Sequence, residues 1–165
     1  MQFTRTFAFT AETLQYKVEI FADLEGHRVN GVTIPGDVAM TPQKPDLVII
    51  NRRSTEVKLV ELTVPWDTSA NIEAATSRKA ERYRELTTTI QGNGFKCLNI
   101  PLEIGTRGFI NAKNKNILTQ LCHGLRITKV SNVMKNCSKL AVLGSFSIWN
   151  ARYSSDWNGG AVLKP

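Results

Sequence analysis

The stretch DLVIINRRSTEVKLVELTV, residues 46–64, decides the fold. Its first apolar run, residues 47–50, predicts a strand that is buried on both faces. Polar residues 51–55 turn the chain, and residues 57–64 predict a second strand, which Pro65 ends. The sequence therefore predicts a β-hairpin at this point.

Two acidic residues adjoin or interrupt the apolar runs of this hairpin. Asp46 directly precedes the first run, and Glu61 lies within the second. If residues 53–54 form the connection, Asp46 lies opposite Glu61, with Cβ atoms about 5 Å apart. Adjacent carboxylates repel unless a cation lies between them, and such oxygen ligands suit Mg²⁺ or Mn²⁺. The alternative stays open that both are solvated acids at strand ends, with Asp46 forming a turn after Pro45.

A lysine lies on the apolar side of the next predicted element. Residues 72–90 predict a helix whose apolar stripe includes Ile72 and Tyr83, and Lys79 lies on the same stripe. Because this helix must pack on the sheet, Lys79 could point toward the two carboxylates and orient an attacking water or offset negative charge. In the alternative, the side chain extends along the edge of the core to reach solvent.

The remaining chain alternates further helices and strands. The spacing of Leu14, Val18 and Phe21 predicts a helix over residues 11–23. A strand is expected over residues 95–104, where Pro101 indicates an edge or a bulge, and helices over residues 111–121 and 130–143. This order predicts an α/β architecture, a sheet packed by helices. We expect a single domain over residues 1–153, with additional C-terminal helices in residues 111–150 and a flexible tail in residues 154–165.

Composition limits the class of protein. The formal net charge is +7 and the pI about 9.5, which favours contact with phosphate backbones. No apolar run approaches the roughly 20 residues that a membrane span requires. Three cysteines at irregular spacing argue against a disulfide framework and favour a reducing compartment. A domain with a hydrophobic core, neither secreted nor membrane-spanning, is the expectation.

Several ordered motifs together resemble a known family. They are Lys44-Pro45-Asp46, then Glu61 within VELTVP at residues 60–65, then Lys79 followed by Tyr83. This pattern is similar to the restriction-like endonuclease of non-LTR retrotransposons, a branch of the PD-(D/E)xK superfamily. The resemblance covers residues 26–109, including the segment EIGTRGF at residues 103–109, and implies a restriction-endonuclease-like core with a central mixed β-sheet flanked by helices.

The resemblance also implies a chemistry and a set of residues. Thr63 stands where the wider superfamily has its lysine, so Lys79 is implied to take over that role. Asp46, Glu61 and a main-chain carbonyl near Leu62 are implied to bind Mg²⁺ or Mn²⁺ for phosphodiester hydrolysis, with Tyr83 packed at the site. Further candidates at the metal are Glu19, Glu25 and Asp37. The candidates for contact with the DNA backbone are Arg52, Arg53, Arg78, Arg82 and Arg107.

In the resembling retroelements the nicked DNA strand primes reverse transcription of element RNA. The implied partners are therefore DNA, retroelement RNA and a reverse transcriptase domain in a longer protein, and the implied location is the nucleus. Two other functions stay open. The chain could be a catalytically inactive DNA-binding module derived from such a nuclease, or a structure-selective nuclease that resolves DNA junctions.

Overall fold

The computed structural model describes residues 9–13, 16–22, 34–66 and 81–152. These ranges contain five strands, which are β1 (Phe9–Thr13), β2 (Tyr16–Ala22), β3 (Leu47–Asn51), β4 (Glu56–Thr63) and β5 (Lys96–Glu103). They also contain three helices, which are α1 (Arg84–Gly92), α2 (Ala112–Gly124) and α3 (Val130–Ala151). The predicted tail at residues 154–165 lies outside the described residues.

The chain divides into two compact units. The first, here named the sheet unit, comprises Met1–Thr63 and Glu73–Glu103, and the second, named the helical unit, comprises Val64–Ile72 and Ile104–Pro165. All five described strands and α1 belong to the sheet unit, while α2 and α3 belong to the helical unit. The predicted boundary of a single domain over residues 1–153 stays a prediction.

The described strands form one mixed sheet in the order β1-β2-β3-β4-β5. The first three pairings are antiparallel, and β4 pairs with β5 in parallel. A parallel neighbour requires a long crossover, and α1 lies in that connection. Pro101 lies in β5, at an edge of the described sheet, where a residue without an N–H is tolerated. The α/β class with a mixed sheet, predicted from the sequence, is confirmed.

The register of the β3–β4 hairpin is the one that the sequence predicts. Leu47 pairs with Val60 and Asn51 with Glu56, so one further step places Asp46 beside Glu61. The side chain of Asn51 fixes the turn by accepting the backbone N–H groups of residues 53 and 54 at 3.1 and 3.2 Å. Because a slip of one residue would exchange the two faces of a strand, this turn determines which side chains meet.

The helix predicted over residues 11–23 is wrong, because β1 and β2 occupy this region as an antiparallel pair. β2 also pairs along its length with β3, from Val18 opposite Asn51 to Ala22 opposite Leu47. Val18 and Phe21 fit a helical stripe, yet Val18 is also buried in a strand and Phe21 packs against the core. Pairing with the apolar β3 strand outweighs the weak helical periodicity.

The core of the sheet unit lies between one face of the sheet and α1. Val48 and Ile50 of β3 lie opposite Leu59 and Val57 of β4, and all four are fully buried. The helical side of this core is Tyr83, Leu86 and Ile90, three residues at helical spacing. The helix predicted over residues 72–90 is interrupted in its described part, because Tyr83 is a turn residue that caps α1 at Arg84, but the apolar stripe is buried and the helix ends at Gly92 as expected.

In the helical unit, α2 begins with a side-chain cap, since Oδ1 of Asn111 accepts a hydrogen bond from the N–H of Asn114 at 2.8 Å. α3 continues through Gly144 to Ala151, beyond the predicted end near residue 143, and Ala141 is its one buried residue. In the loop before α2, Gly108 has a φ of +79°, and a Cβ there would lie 2.8 Å from the carbonyl oxygen of Ser138. No helix in the described part of the chain is long and apolar enough to cross a membrane.

Candidate functional site

Asp46 and Glu61 lie side by side at the open end of the hairpin and bind each other's strands. The N–H of Asp46 donates to Oε2 of Glu61 at 3.1 Å. In return, the N–H of Leu62 donates to Oδ2 of Asp46 at 2.8 Å. Hydrogen bonds from backbone N–H groups stabilise a charged carboxylate, so the strand ends themselves hold the two acids together.

The two acids differ in exposure. Glu61 is buried, with a residue exposure of 2%, whereas Asp46 is exposed. Strand alternation places Asp46 on the same face as Val48, and Glu61 on the same face as Leu59, which is the face that Tyr83 covers. The pair thus forms the rim of the core, with one carboxylate inside and the other open to solvent.

Tyr83 closes this site from the helical side. Its ring is fully buried, and its hydroxyl donates to the carbonyl oxygen of Lys44 at 3.2 Å. Burial, and next to it the negative charge of Glu61, raise the pKa of the Tyr83 phenol far above its ordinary value. The raised pKa keeps the Tyr83 phenol protonated at neutral pH, so that its hydroxyl can donate the hydrogen bond to Lys44.

Arg82 supplies the described positive charge nearest to the pair. Its Nη1 lies 3.8 Å from Oε1 of Glu61, and its guanidinium lies over the ring of Tyr83 at 5.5 Å from the centroid. The carbonyl of Arg82 also accepts a hydrogen bond from the side chain of Gln43 at 3.0 Å. The sequence placed Arg82 among the residues that contact DNA and missed its position at the carboxylates. The sequence feature that indicates this position is that Arg82 directly precedes Tyr83, at the edge of the apolar stripe of the predicted helix.

Two predicted site residues, Lys79 and Arg78, lie outside the described residues, as does Glu25. Their roles stay predictions. Tyr83, four residues after Lys79 along the chain, lies close enough to Glu61 and Asp46 for their charges to raise the pKa of its phenol.

Arg52 is engaged within the sheet unit. It forms a salt bridge with Glu19 at 3.1 Å and another with Asp37, whose carboxylate also accepts its hydrogen bonds. The hydrogen bond with Asp37 raises the pKa of Arg52 and lowers that of Asp37. The structure therefore gathers two of the proposed extra metal-side acids, Glu19 and Asp37, around Arg52. Contact of Arg52 with DNA stays a prediction.

The remaining predicted contacts, Arg53 and Arg107, belong to different units. Arg53 is exposed in the hairpin turn, at the opposite end of β3 from Asp46, and Arg107 is exposed in the helical unit. Thr63 lies two residues beyond Glu61 on the same face of β4, and its buried Oγ1 has no hydrogen-bond partner in the described ranges. A threonine hydroxyl carries no positive charge at this position.

Comparisons of the chain with protein-family models, curated proteins and solved structures gave no match. No relative therefore supplies a function. Support for a function comes from the geometry of the sheet unit and from the resemblance of its motifs.

The site fits a divalent ion held by two carboxylates. Mg²⁺ is commonly bound by one or two protein carboxylates together with waters and substrate phosphates, at oxygen distances of about 2 Å. Asp46 and Glu61 supply two such carboxylates, of which Asp46 is exposed and Glu61 buried. Within residues 34–66 and 81–152, no third His, Cys, Asp or Glu joins them to make a closed metal site.

Proposed function

We propose that this chain is a metal-dependent DNA endonuclease that hydrolyses phosphodiester bonds. The observation that supports this most directly is the Asp46–Glu61 pair, held by reciprocal backbone hydrogen bonds at the end of the hairpin. In this proposal the mixed sheet and α1 form the restriction-endonuclease-like core that the motifs imply. The target-nicking role in a retrotransposon protein, with element RNA and a reverse transcriptase as partners and a nuclear location, follows from the resemblance.

Each residue of the site has a defined task in the proposed reaction. Asp46 and Glu61, with a main-chain carbonyl near Leu62, would hold Mg²⁺ or Mn²⁺, which when bound polarises the scissile phosphate and lowers the pKa of its water. Arg82 opposes the negative charge of Glu61, and the protonated Tyr83 supports the Lys44 turn beneath the acids. Lys79 remains the proposed cation for positioning the attacking water.

A DNA-binding module without catalysis is the second candidate function. It is favoured by Thr63 at the usual lysine position and by the ion pair of Arg82 with Glu61, which offsets the charge of the glutamate without a metal ion. A nuclease fold that lost its lysine could keep its basic surface and bind DNA without cutting. This candidate predicts DNA affinity that does not depend on divalent ions.

Nicking of a supercoiled plasmid tests the proposal. The protein would be incubated with Mg²⁺ or Mn²⁺ beside Asp46→Asn, Glu61→Gln and Lys79→Ala, and with Glu85→Gln as a control for an exposed acid of α1. We expect Asp46→Asn and Glu61→Gln to reduce the rate at least about 100-fold, since each removes a metal ligand, while Glu85→Gln keeps the full rate. Undiminished nicking by both variants would refute the site.

A comparison of DNA substrates separates the remaining candidate functions. Linear duplex, bulged duplex and four-way junction DNA would be compared at equal concentration and salt. Preference for the junction would identify a structure-selective nuclease on the same fold. Binding to all three without cleavage under any divalent ion would establish the inactive module.

A further inference from the structure

The net positive charge of the protein lies in one of its two units. The sheet unit contains twelve Lys and Arg against twelve Asp and Glu, and is therefore neutral. The helical unit contains nine Lys and Arg against two Asp and Glu, which accounts for the whole net charge of +7. Between residues 104 and 152 there are eight basic residues and no acidic one. The unit that carries the acid pair therefore has no net charge, and the net positive charge belongs to the other unit.

These basic side chains face solvent. Seven of the eight are exposed, and they are spread over the loop before α2, both helices and the turn between them. Lys135 and Lys139 lie one helical turn apart on α3, so they share a face. A surface of this charge binds phosphate backbones with a strong dependence on salt concentration.

The same unit contains an apolar pocket of about 450 Å³. This volume lies within the range of roughly 300–1,000 Å³ that is usual for small-ligand sites. Two tryptophans line it, Trp66 from the segment after β4 and Trp149 from α3, and they are 62% and 54% exposed. Large aromatic side chains left open at a pocket provide flat faces on which another ring can stack.

Two polar groups accompany the aromatic lining. The guanidinium of Arg152 lies over the ring of Trp149 at the pocket. The hydroxyl of Thr106 is buried among the lining residues and has no hydrogen-bond partner in the described ranges. An aromatic wall with a cation and one polar group matches the requirements of a nucleobase attached to its phosphate.

We propose that the helical unit binds single-stranded nucleic acid, with an unpaired base in the pocket between Trp66 and Trp149 and the backbone on the surrounding lysines and arginines. A flat anionic membrane would also be attracted by the charge, but a concave pocket with a buried hydroxyl suits a single ring. The inference deepens the proposed function, because it gives the endonuclease a preference for DNA with an unpaired base.

Binding of a labelled single strand, measured by fluorescence anisotropy in EDTA, tests this inference. The ligands are a thymidine oligonucleotide, an abasic strand of the same length and charge, and the matching duplex. We expect the base-bearing strand to bind more tightly than both. We expect Trp149→Ala to weaken its binding about 5- to 150-fold, the usual loss for one stacked base. Phe146→Ala is the matched control, since Phe146 is a 61% exposed aromatic on α3 that does not line the pocket.

Gly144 offers a variant that blocks the pocket without endangering the fold. It lines the pocket, and a Cβ there would have no heavy atom within 4 Å. Gly144→Leu should raise the stability of α3, because leucine favours a helix more than glycine does, and should weaken strand binding as Trp149→Ala does. Gly144→Ala should leave binding intact. A folded Gly144→Leu protein with unchanged affinity would overturn the pocket assignment.

Other outcomes are equally decisive. Equal affinity for the abasic and base-bearing strands would reduce the surface to a phosphate binder and overturn the inference. So would binding to vesicles of anionic phospholipid that depends on Trp149 while strand binding does not. Because the assay contains EDTA and needs no cleavage, strand binding by an inactive Asp46→Asn protein would uphold the inference while the endonuclease proposal is judged separately.

Discussion

Arg82 and Glu61 face each other across the edge of the core, with Nη1 of the arginine 3.8 Å from Oε1 of the glutamate. The glutamate side chain is 3% exposed and the arginine side chain 46% exposed, so the pair spans the boundary between protein interior and solvent. A buried carboxylate is costly without opposing charge. Arg82 lowers that cost in the absence of a metal ion, and it must share Glu61 with the ion if one binds.

Removal of Arg82 should destabilise the protein. Arg82→Ala leaves Glu61 with less opposing charge, and we expect a loss of about 1 kcal/mol in the free energy of unfolding, since half of the arginine is exposed and screened. Arg84→Ala is the control, because Arg84 pairs with Glu81 in a largely exposed ion pair on the same helix region. Urea unfolding should show a loss only for Arg82→Ala. Equal losses would contradict the role given to Arg82.

Divalent ions should stabilise the folded protein through the acid pair. At a Mn²⁺ concentration ten times its Kd, we expect Tm to rise by roughly 3–6 °C. Asp46→Asn and Glu61→Gln should abolish the rise, and Glu85→Gln should preserve it. Thermal unfolding with and without Mn²⁺ measures this without any DNA. A full shift in the double variant Asp46→Asn/Glu61→Gln would place the ion elsewhere.

Tyr83→Phe should change stability most clearly at alkaline pH. The pKa of Tyr83 in the folded protein is raised above its ordinary value of 10. The stability that comes from this neutral phenol is therefore complete below about pH 10 and is lost as the pH rises toward the folded pKa. The wild type should lose up to about 1.4 kcal/mol per pH unit in this window relative to Tyr83→Phe. Parallel stability curves above pH 10 would contradict the shift.

The salt dependence of DNA binding should follow the helical unit. Lys135→Glu/Lys139→Glu replaces two exposed cations of α3, and we expect lower affinity and a slope of log K against log salt that is shallower by at least about 1.4 for a single strand. Lys96→Glu places the same substitution on an exposed lysine of the sheet unit and should change the slope less. The reverse order would show that the neutral unit holds the strand.

Two glycines with similar backbone angles should respond differently to alanine. Gly94 has a φ of +86° and space for a Cβ, so Gly94→Ala should cost only the conformational strain of about 1 kcal/mol. Gly108 has a φ of +79°, and a Cβ would lie 2.8 Å from the carbonyl oxygen of Ser138. The backbone must move, and we expect a total loss of roughly 3 kcal/mol. Equal losses in chemical unfolding would contradict this close approach.

The hairpin and its register could be predicted because local signals agree. The apolar run before Asn51, the polar turn after it and the alternation around Glu61 all require the same pairing, and the structure has it. The helical face that carries Tyr83 was equally clear, since three of its apolar residues recur at helical spacing.

Other features depend on contacts that the local sequence does not specify. β2 has the spacing of a helix but pairs with β3, and that choice is made by a distant strand. α3 runs through Gly144 because one glycine weakens a helix without ending it. The ion pair of Arg82 with Glu61 depends on how α1 and the residues directly before it pack on the sheet. The division of charge between the two units does not show in the net charge of the whole chain.

The turn between Asn51 and Glu56 has a consequence for how distantly related sequences can be recognised. Five residues of β3 separate Asp46 from the turn, and the strand from Glu56 to Glu61 returns the chain to it. The turn can become longer or shorter without separating the two acids. Insertion of one residue into either strand, however, would turn one acid to the opposite face of the sheet. A sequence pattern that fixes the lengths of the two strands and lets the turn vary would therefore detect related sequences better than one that fixes the whole distance from Asp46 to Glu61.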